Sequence, residues 1–228
     1  MTSVWVVDSN CFIHIGEMAP ESFIRDLQKT LENESMSIFV TPGVHDEVRT
    51  VKFKRWPDKP NLLDKMQDVL NTITIDESEI RTLAKRIGEK ASPQDVDLSL
   101  MVLATKMSKE GKDVTLVSDD FKMTLTGSGS SFGFDTCPPS TFLQRLSNLG
   151  PENQRNCLRS LSRRVRAAEM RYAISRAGEY DIQEKLTWMV DSLLTSQVRY
   201  EWAQSSILSA LTSIRIIFVP LGLNVCPF

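Results

Sequence analysis

Carboxylates stand at the ends of hydrophobic runs or at the starts of helices in four places along this 228-residue chain. The first is Val6-Val7-Asp8-Ser9-Asn10 and the second is Thr41-Pro42-Gly43-Val44-His45-Asp46-Glu47-Val48. Ser92-Pro93-Gln94-Asp95-Val96-Asp97-Leu98 and Leu116-Val117-Ser118-Asp119-Asp120-Phe121 complete the set. Parallel strands present their C-terminal ends along one edge, so acids far apart in sequence can meet there. Carboxylates gathered in one cleft repel unless a cation neutralises them. Hard oxygen ligands suit Mg²⁺ or Mn²⁺, and such ions activate water against phosphate esters.

Within the set the positions separate. Asp8 follows a buried-strand pattern and is the leading metal ligand, with Ser9 and Asn10 as groups that orient it or contact phosphate. Glu47 lies one and a half turns into its helix beside apolar Val44 and Val48, whereas Asp46 reads as a solvated helix charge. Asp95 and Asp97 point about 200° apart on a helix, so one metal takes one of them. Asp97 precedes the apolar run Leu98 to Ala104 and is taken as the ligand. Asp95 is left to partner Ser92 in a capping box. Asp119 and Asp120 follow a strong strand: one faces the cleft, the other caps a helix or binds through water, and the sequence leaves open which. Ser118 is a proton or phosphate contact. Asp8, Glu47, Asp97, Asp119 and Asp120 are therefore the expected catalytic residues, and Asp8, Asp97, Asp119 and Asp120 the expected ligands of Mg²⁺ or Mn²⁺.

The elements that must position these groups alternate. Strands are expected over residues 3–7, 37–41, 72–75, 114–118 and 134–137. Helices are expected over 20–32, 42–51, 62–70, 77–89, 92–109, 119–125 and 140–146. Strands separated by helices argue an α/β/α sandwich with a mostly parallel central sheet. Gly150-Pro151 marks a boundary, giving domains over 1–149 and 150–228. The second is a C-terminal helical extension with helices over 152–176, 180–196 and 198–217.

Composition is that of an ordinary globular chain, 41% hydrophobic and 25% charged, with a net charge of −2. The first 149 residues carry 17 Lys/Arg against 22 Asp/Glu, and the remainder 10 against 7. Cys11, Cys137, Cys157 and Cys226 are scattered, which argues against structural zinc and for a reduced, cytoplasmic compartment. The first residues run straight into a strand-like segment without a basic-then-apolar pattern, so secretion is not expected. The apolar stretch over 207–228 is broken by Arg215, Pro220 and Asn224, so it reads as a buried helix and tail, and no membrane partner is expected.

Two basic segments suit a polyanion. Lys52, Lys54, Arg55 and Trp56 combine cations with an aromatic ring, a mix that serves single-stranded RNA. Residues 155–176 carry seven arginines against one acid, with Arg155, Arg159, Arg163 and Arg166 along one helical stripe. RNA, single-stranded or structured, is the expected partner. A homodimer and a ribosomal or processing partner stay open.

Taken together, residues 3–147 resemble a PIN domain. Val7-Asp8-Ser9-Asn10-Cys11-Phe12-Ile13 is similar to the family's opening motif, and Thr41 to Val48 to its strand-to-helix motif ending in Glu. Asp97 to Ala104 resembles the third acidic motif on its apolar helix, Leu116 to Asp120 the fourth, and Cys137 to Phe142 the closing strand and helix. The resemblance implies a three-layer α/β/α fold and a metal-dependent endoribonuclease that leaves a 5′-phosphate and a 3′-hydroxyl. Motif spacing is closest to the archaeal rRNA-maturation type, without its zinc ribbon after residue 150. A PIN-like module that binds RNA or the ribosome without cutting, and a toxin-type ribonuclease of a toxin–antitoxin pair, are the alternatives.

Overall fold

The computed structural model describes residues 3–201 apart from 34–36, 52–60, 90–94, 121–122, 125, 127–131, 150–151, 177 and 179–180. Five strands form one sheet: β1 (Ser3–Val7), β2 (Ser37–Val40), β3 (Leu70–Thr72), β4 (Asp113–Val117) and β5 (Asp135–Cys137). Their order is β3-β2-β1-β4-β5, and every neighbouring pair is parallel. β1 is central because it is buried on both faces. Val4, Trp5, Val6 and Val7 are each at most 3% exposed, and such side chains contribute about 1.5–3 kcal/mol apiece on burial. From β1 the chain moves out through β2 to β3, then crosses back to β4. The sheet therefore has its switch point between β1 and β4, where a crevice opens beyond the strands' C-terminal ends.

The helices are α1 (Ser9–Met18), α2 (Glu21–Asn33), α3 (Pro42–Thr50), α4 (Leu62–Lys65), α5 (Glu77–Ile87) and α6 (Val96–Lys109). After β5 come α7 (Pro139–Leu149), α8 (Glu152–Ser175) and α9 (Ile182–Glu201). α1 packs with α3, α4, α7 and α8, whereas α6 packs on β1 and β4 with α5 beside it. Two helical groups of this kind are what an all-parallel sheet needs to cover both faces.

The differences from expectation have local causes. The helix expected over 62–70 stops after α4 and tightens into a 3₁₀ turn at Gln67–Val69, which releases the chain as strand at Leu70, two residues early. α6 begins at Val96 with Asp95 itself as N-cap: the Asp95 Oδ1 accepts from the Leu98 N–H at 3.0 Å. Asp95 is thus itself the cap residue, and Ser92, its expected partner, lies outside the described residues. The helix expected over 119–125 falls partly outside them. α9 runs unbroken to Glu201, past the gap expected after 196, and the rest of the expected 198–217 helix and the 207–228 tail lie outside the described residues. Among those described, no helix is long and apolar enough to cross a membrane.

Residues on both sides of the boundary expected at 149/150 contribute to one buried cluster. Leu158, Leu161 and Val165 of α8 belong to the same buried cluster as Val6, Leu116 and Leu143. Thr30 of α2 also donates to the Gln154 side chain. A Leu161→Ala substitution is expected to cost about 2–5 kcal/mol and to lower the stability of the whole molecule. Chemical denaturation followed separately by tryptophan fluorescence and by helical circular dichroism should give one coincident transition for the described core. Two separate transitions, with only one moved by the substitution, would refute a shared core.

Candidate metal centre

Asp8 is the residue where β1 becomes α1. Its N–H donates to Val117 O at 2.9 Å, carrying the β1–β4 ladder one residue further. Its extended backbone (φ −79°, ψ 158°) then makes it the N-cap of α1. The carboxylate is 1% exposed and receives four donors. Oδ1 accepts from the Ser9 N–H at 2.6 Å and the Ser9 hydroxyl at 3.2 Å; Oδ2 accepts from Ser118 Oγ at 2.7 Å and Asn10 Nδ2 at 3.3 Å. Ser9, Asn10 and Ser118 thus all orient this one group. Ser118 is itself fully buried and occupied: it donates to Asp8, and its Oγ accepts from the Asp120 N–H at 2.9 Å.

The other acids approach from separate elements. Burial pushes the Asp8 carboxyl up to about 6 against the Ser118 and Ser9 hydrogen bonds, and the charges of Glu47 and Asp120 add to the rise. Asp97, in the first turn of α6, is raised further, to about 8. Its largest cause is hydration lost to the atoms packed around it, although the residue is exposed on the surface; Asp8, Asp120, Asp95 and Glu47 then push in the same direction. Asp8, Glu47, Asp97 and Asp120 therefore share one electrostatic neighbourhood at the sheet's C-terminal edge. Glu47 is exposed and, with Asp46 and Asp95, lines a cleft of about 540 Å³ between α3, α5 and α6.

Asp119 goes elsewhere. It is fully buried, with Oδ1 3.0 Å from Lys185 Nζ and Oδ2 3.3 Å from His14 Nε2. Burial alone would lower the His14 pKa, but the Asp119 hydrogen bond and charge outweigh it and raise it. Glu169 stands behind the pair. Burial and Asp119 raise it to about 7, while it accepts from the Ser140 N–H and hydroxyl, both at 2.6 Å, at the start of α7. Of the two adjacent acids, Asp120 is the one that acts on Asp8 and Asp97.

Sequence reasoning passed over Lys185, His14 and Glu169. The available signal was charge on an apolar stripe: Lys185 heads the buried spacing Lys185, Met189, Leu193 on α9, and Glu169 interrupts that of α8. Gly43 was also missed as a packing residue. A Cβ there would lie 2.6 Å from Val96 Cγ2, so the glycine is what lets α3, carrying Glu47, approach the start of α6, carrying Asp97.

Lys52, Lys54, Arg55 and Trp56 lie outside the described residues. Arg163 is exposed on α8, as are Arg155, Arg164 and Arg171. Arg159 and Arg166 are half-buried: Arg159 donates to Asn148 Oδ1 at 3.4 Å and Arg166 to Ser162 Oγ at 3.5 Å.

The donor set fits Mg²⁺ or Mn²⁺ in kind, being all carboxylate oxygen in a charge-crowded cleft. Among the described residues no three His, Cys, Asp or Glu side chains stand as a ready-made ligand group. Comparison with protein-family models, with curated proteins and with solved structures finds no match for this chain.

Two outcomes are expected. Asp8 and Asp97 hold their protons above the unfolded carboxyl value near 3.9, so the folded chain binds more protons than the unfolded one between pH about 4 and 8. Their contribution is full below that window and is lost as pH rises through about 6 and about 8. In chelator, Asp97→Asn should therefore flatten the upper part of the fall of Tm between pH 5 and 9; parallel curves for variant and wild type would contradict this. Separately, Gly43→Ala should cost about 1–3 kcal/mol by overpacking. Most of that cost should vanish when the substitution is made in a Val96→Ala background, and an unchanged cost there would remove Val96 as its cause.

Proposed function

We propose that the protein is a Mg²⁺- or Mn²⁺-dependent endoribonuclease of the PIN-domain type. The observation that carries the reading is the pressure that burial and the charges of Glu47 and Asp120 put on Asp8 and Asp97, at the C-terminal edge of a parallel sheet. Carboxylates crowded in this way cost stability as apo groups and gain it once a cation is bound, which is the balance expected of a metal-loaded site.

A divalent ion held by Asp8, Asp97 and Asp120 would lower the pKa of water and neutralise charge on a scissile phosphate. The chain's own contributions follow from the geometry. Asp8 is fixed by four donors and keeps its orientation through the reaction. Asp97, raised to about 8, gives up its proton as the site is loaded. Glu47, exposed on the cleft wall, is free to orient the attacking water. Hydrolysis then breaks the bond between phosphorus and the 3′ oxygen, leaving a 5′-phosphate and a 3′-hydroxyl. RNA enters against an acidic edge and so needs cations of its own: Arg163 on the exposed face of α8, with Lys52, Lys54, Arg55 and Trp56, are assigned that part.

The test is incubation of end-labelled single-stranded and hairpin RNAs with Mn²⁺, with and without chelator. Chelator-sensitive cleavage to 5′-phosphate products is expected, reduced roughly 10–100-fold by Ser118→Ala and further by Asp8→Asn, with the variants' folding checked by circular dichroism. Cleavage by Asp8→Asn at the wild-type rate would overturn the assignment. RNA bound but left intact is the outcome required by a non-catalytic binding module.

A further inference from the structure

A fully buried lysine reaches the acidic edge from the opposite end of the chain. Lys185 of α9 is 0% exposed, and its Nζ makes two contacts with one residue: Asp119 Oδ1 at 3.0 Å and the Asp119 backbone carbonyl at 2.8 Å. Burying an ammonium is costly even when it is paired. Met189 and Leu193, one and two turns on, show that the same stripe is otherwise filled by apolar side chains. An ion pair would need only the carboxylate. The bond to the carbonyl does something more.

That carbonyl belongs to the peptide joining Asp119 to Asp120. The N–H of the same peptide donates to Ser118 Oγ at 2.9 Å, and Ser118 Oγ donates to Asp8 Oδ2 at 2.7 Å. The peptide plane is therefore held at both ends. Lys185 grips its oxygen, and Ser118 grips its nitrogen, so one hydrogen-bonded line runs from α9 to Asp8. We propose that Lys185 is a positioning residue: it sets the peptide between Asp119 and Asp120, so that Asp120, whose Oδ1 accepts from the Met123 N–H at 2.8 Å, keeps its place beside Asp8 and Asp97, and Ser118 keeps its hydroxyl on Asp8. Lys185 touches neither substrate nor the reacting atoms and acts through this peptide. In its consequence for metal and activity the inference rests on the nuclease reading above; in its consequence for the peptide it does not.

The test uses the full-length protein with Lys185→Met, which removes the ammonium and keeps the volume. Because that variant takes the ammonium away from the buried Asp119 carboxylate and leaves it facing His14, Lys185→Met/Asp119→Asn is made beside it. Two readouts are taken: amide hydrogen exchange at Asp120 in chelator, and Mn²⁺ affinity by titration. In both variants the Asp120 amide is expected to lose protection at least 10-fold while amides of β1 and β4 keep theirs, and Mn²⁺ affinity is expected to fall roughly 10–100-fold. The double variant should recover thermal stability over the single one without recovering either readout. A double variant that regains wild-type Asp120 protection and wild-type Mn²⁺ affinity together with its stability would overturn the proposal. So would two variants that both fail to fold, since Lys185 would then serve the fold as a whole. If the wild type binds no Mn²⁺ or cuts no RNA, the nuclease reading falls, and exchange at Asp120 still decides whether Lys185 sets the peptide.

Discussion

Asp8 cannot leave the end of β1. Its N–H is spent in the ladder to Val117, its carboxylate carries four donors, and its side chain is sealed from water. A free carboxylate facing Glu47 and Asp120 would swing into solvent and relieve the repulsion. This one is denied that escape, and the field at the sheet edge persists as a result. The strand order follows the same logic. Only with β1 and β4 adjacent can Ser118 reach Asp8, and only with the sheet's direction reversing between them does a crevice open above the pair.

The second requirement is to keep two neighbouring acids apart. Asp119 and Asp120 leave β4 one after the other, and both in the cleft would add further repulsion there. The fold sends Asp119 inward to a set of four ionisable groups, Asp119, Glu169, Lys185 and His14, contributed by the β4 exit, α8, α9 and α1. Asp119 lies there between Lys185 and His14, and Glu169, its carboxyl raised to about 7, serves as an external cap for α7 through Ser140. The C-terminal helices thus supply part of the packing that shapes the acidic edge.

Much of this was legible because it is local. A run of apolar residues ending in Asp, or a Pro-started helix with Glu one and a half turns in, records a strand-to-helix junction in contiguous letters, and Asp8, Glu47 and Asp97 could be placed from such letters. The direction of Asp119 could not, because its partner Lys185 is separated from it by 66 positions in sequence. A lysine on an apolar stripe reads as a solvent-facing interruption until the charge it neutralises is known. The start of α6 was misread for a different reason: Ser92 and Asp95 both have the chemistry to cap a helix, and only geometry showed that Asp95 takes the Leu98 N–H itself. Gly43 gave no signal at all, since the obstacle it avoids, Val96, lies on another helix.

The Lys185–Asp119 contact also has a bearing on time. A ribosome releases this chain from its N-terminus, so β1, α3, α6 and β4 emerge with their acids before α9 exists. At about 5–20 residues per second, the 66 positions between Asp119 and Lys185 take roughly 3 to 13 s to make. Throughout that interval the peptide that carries Asp120 has no ammonium behind it. A chain emerging amid messenger and ribosomal RNA would thus acquire this support only after α9 has been made.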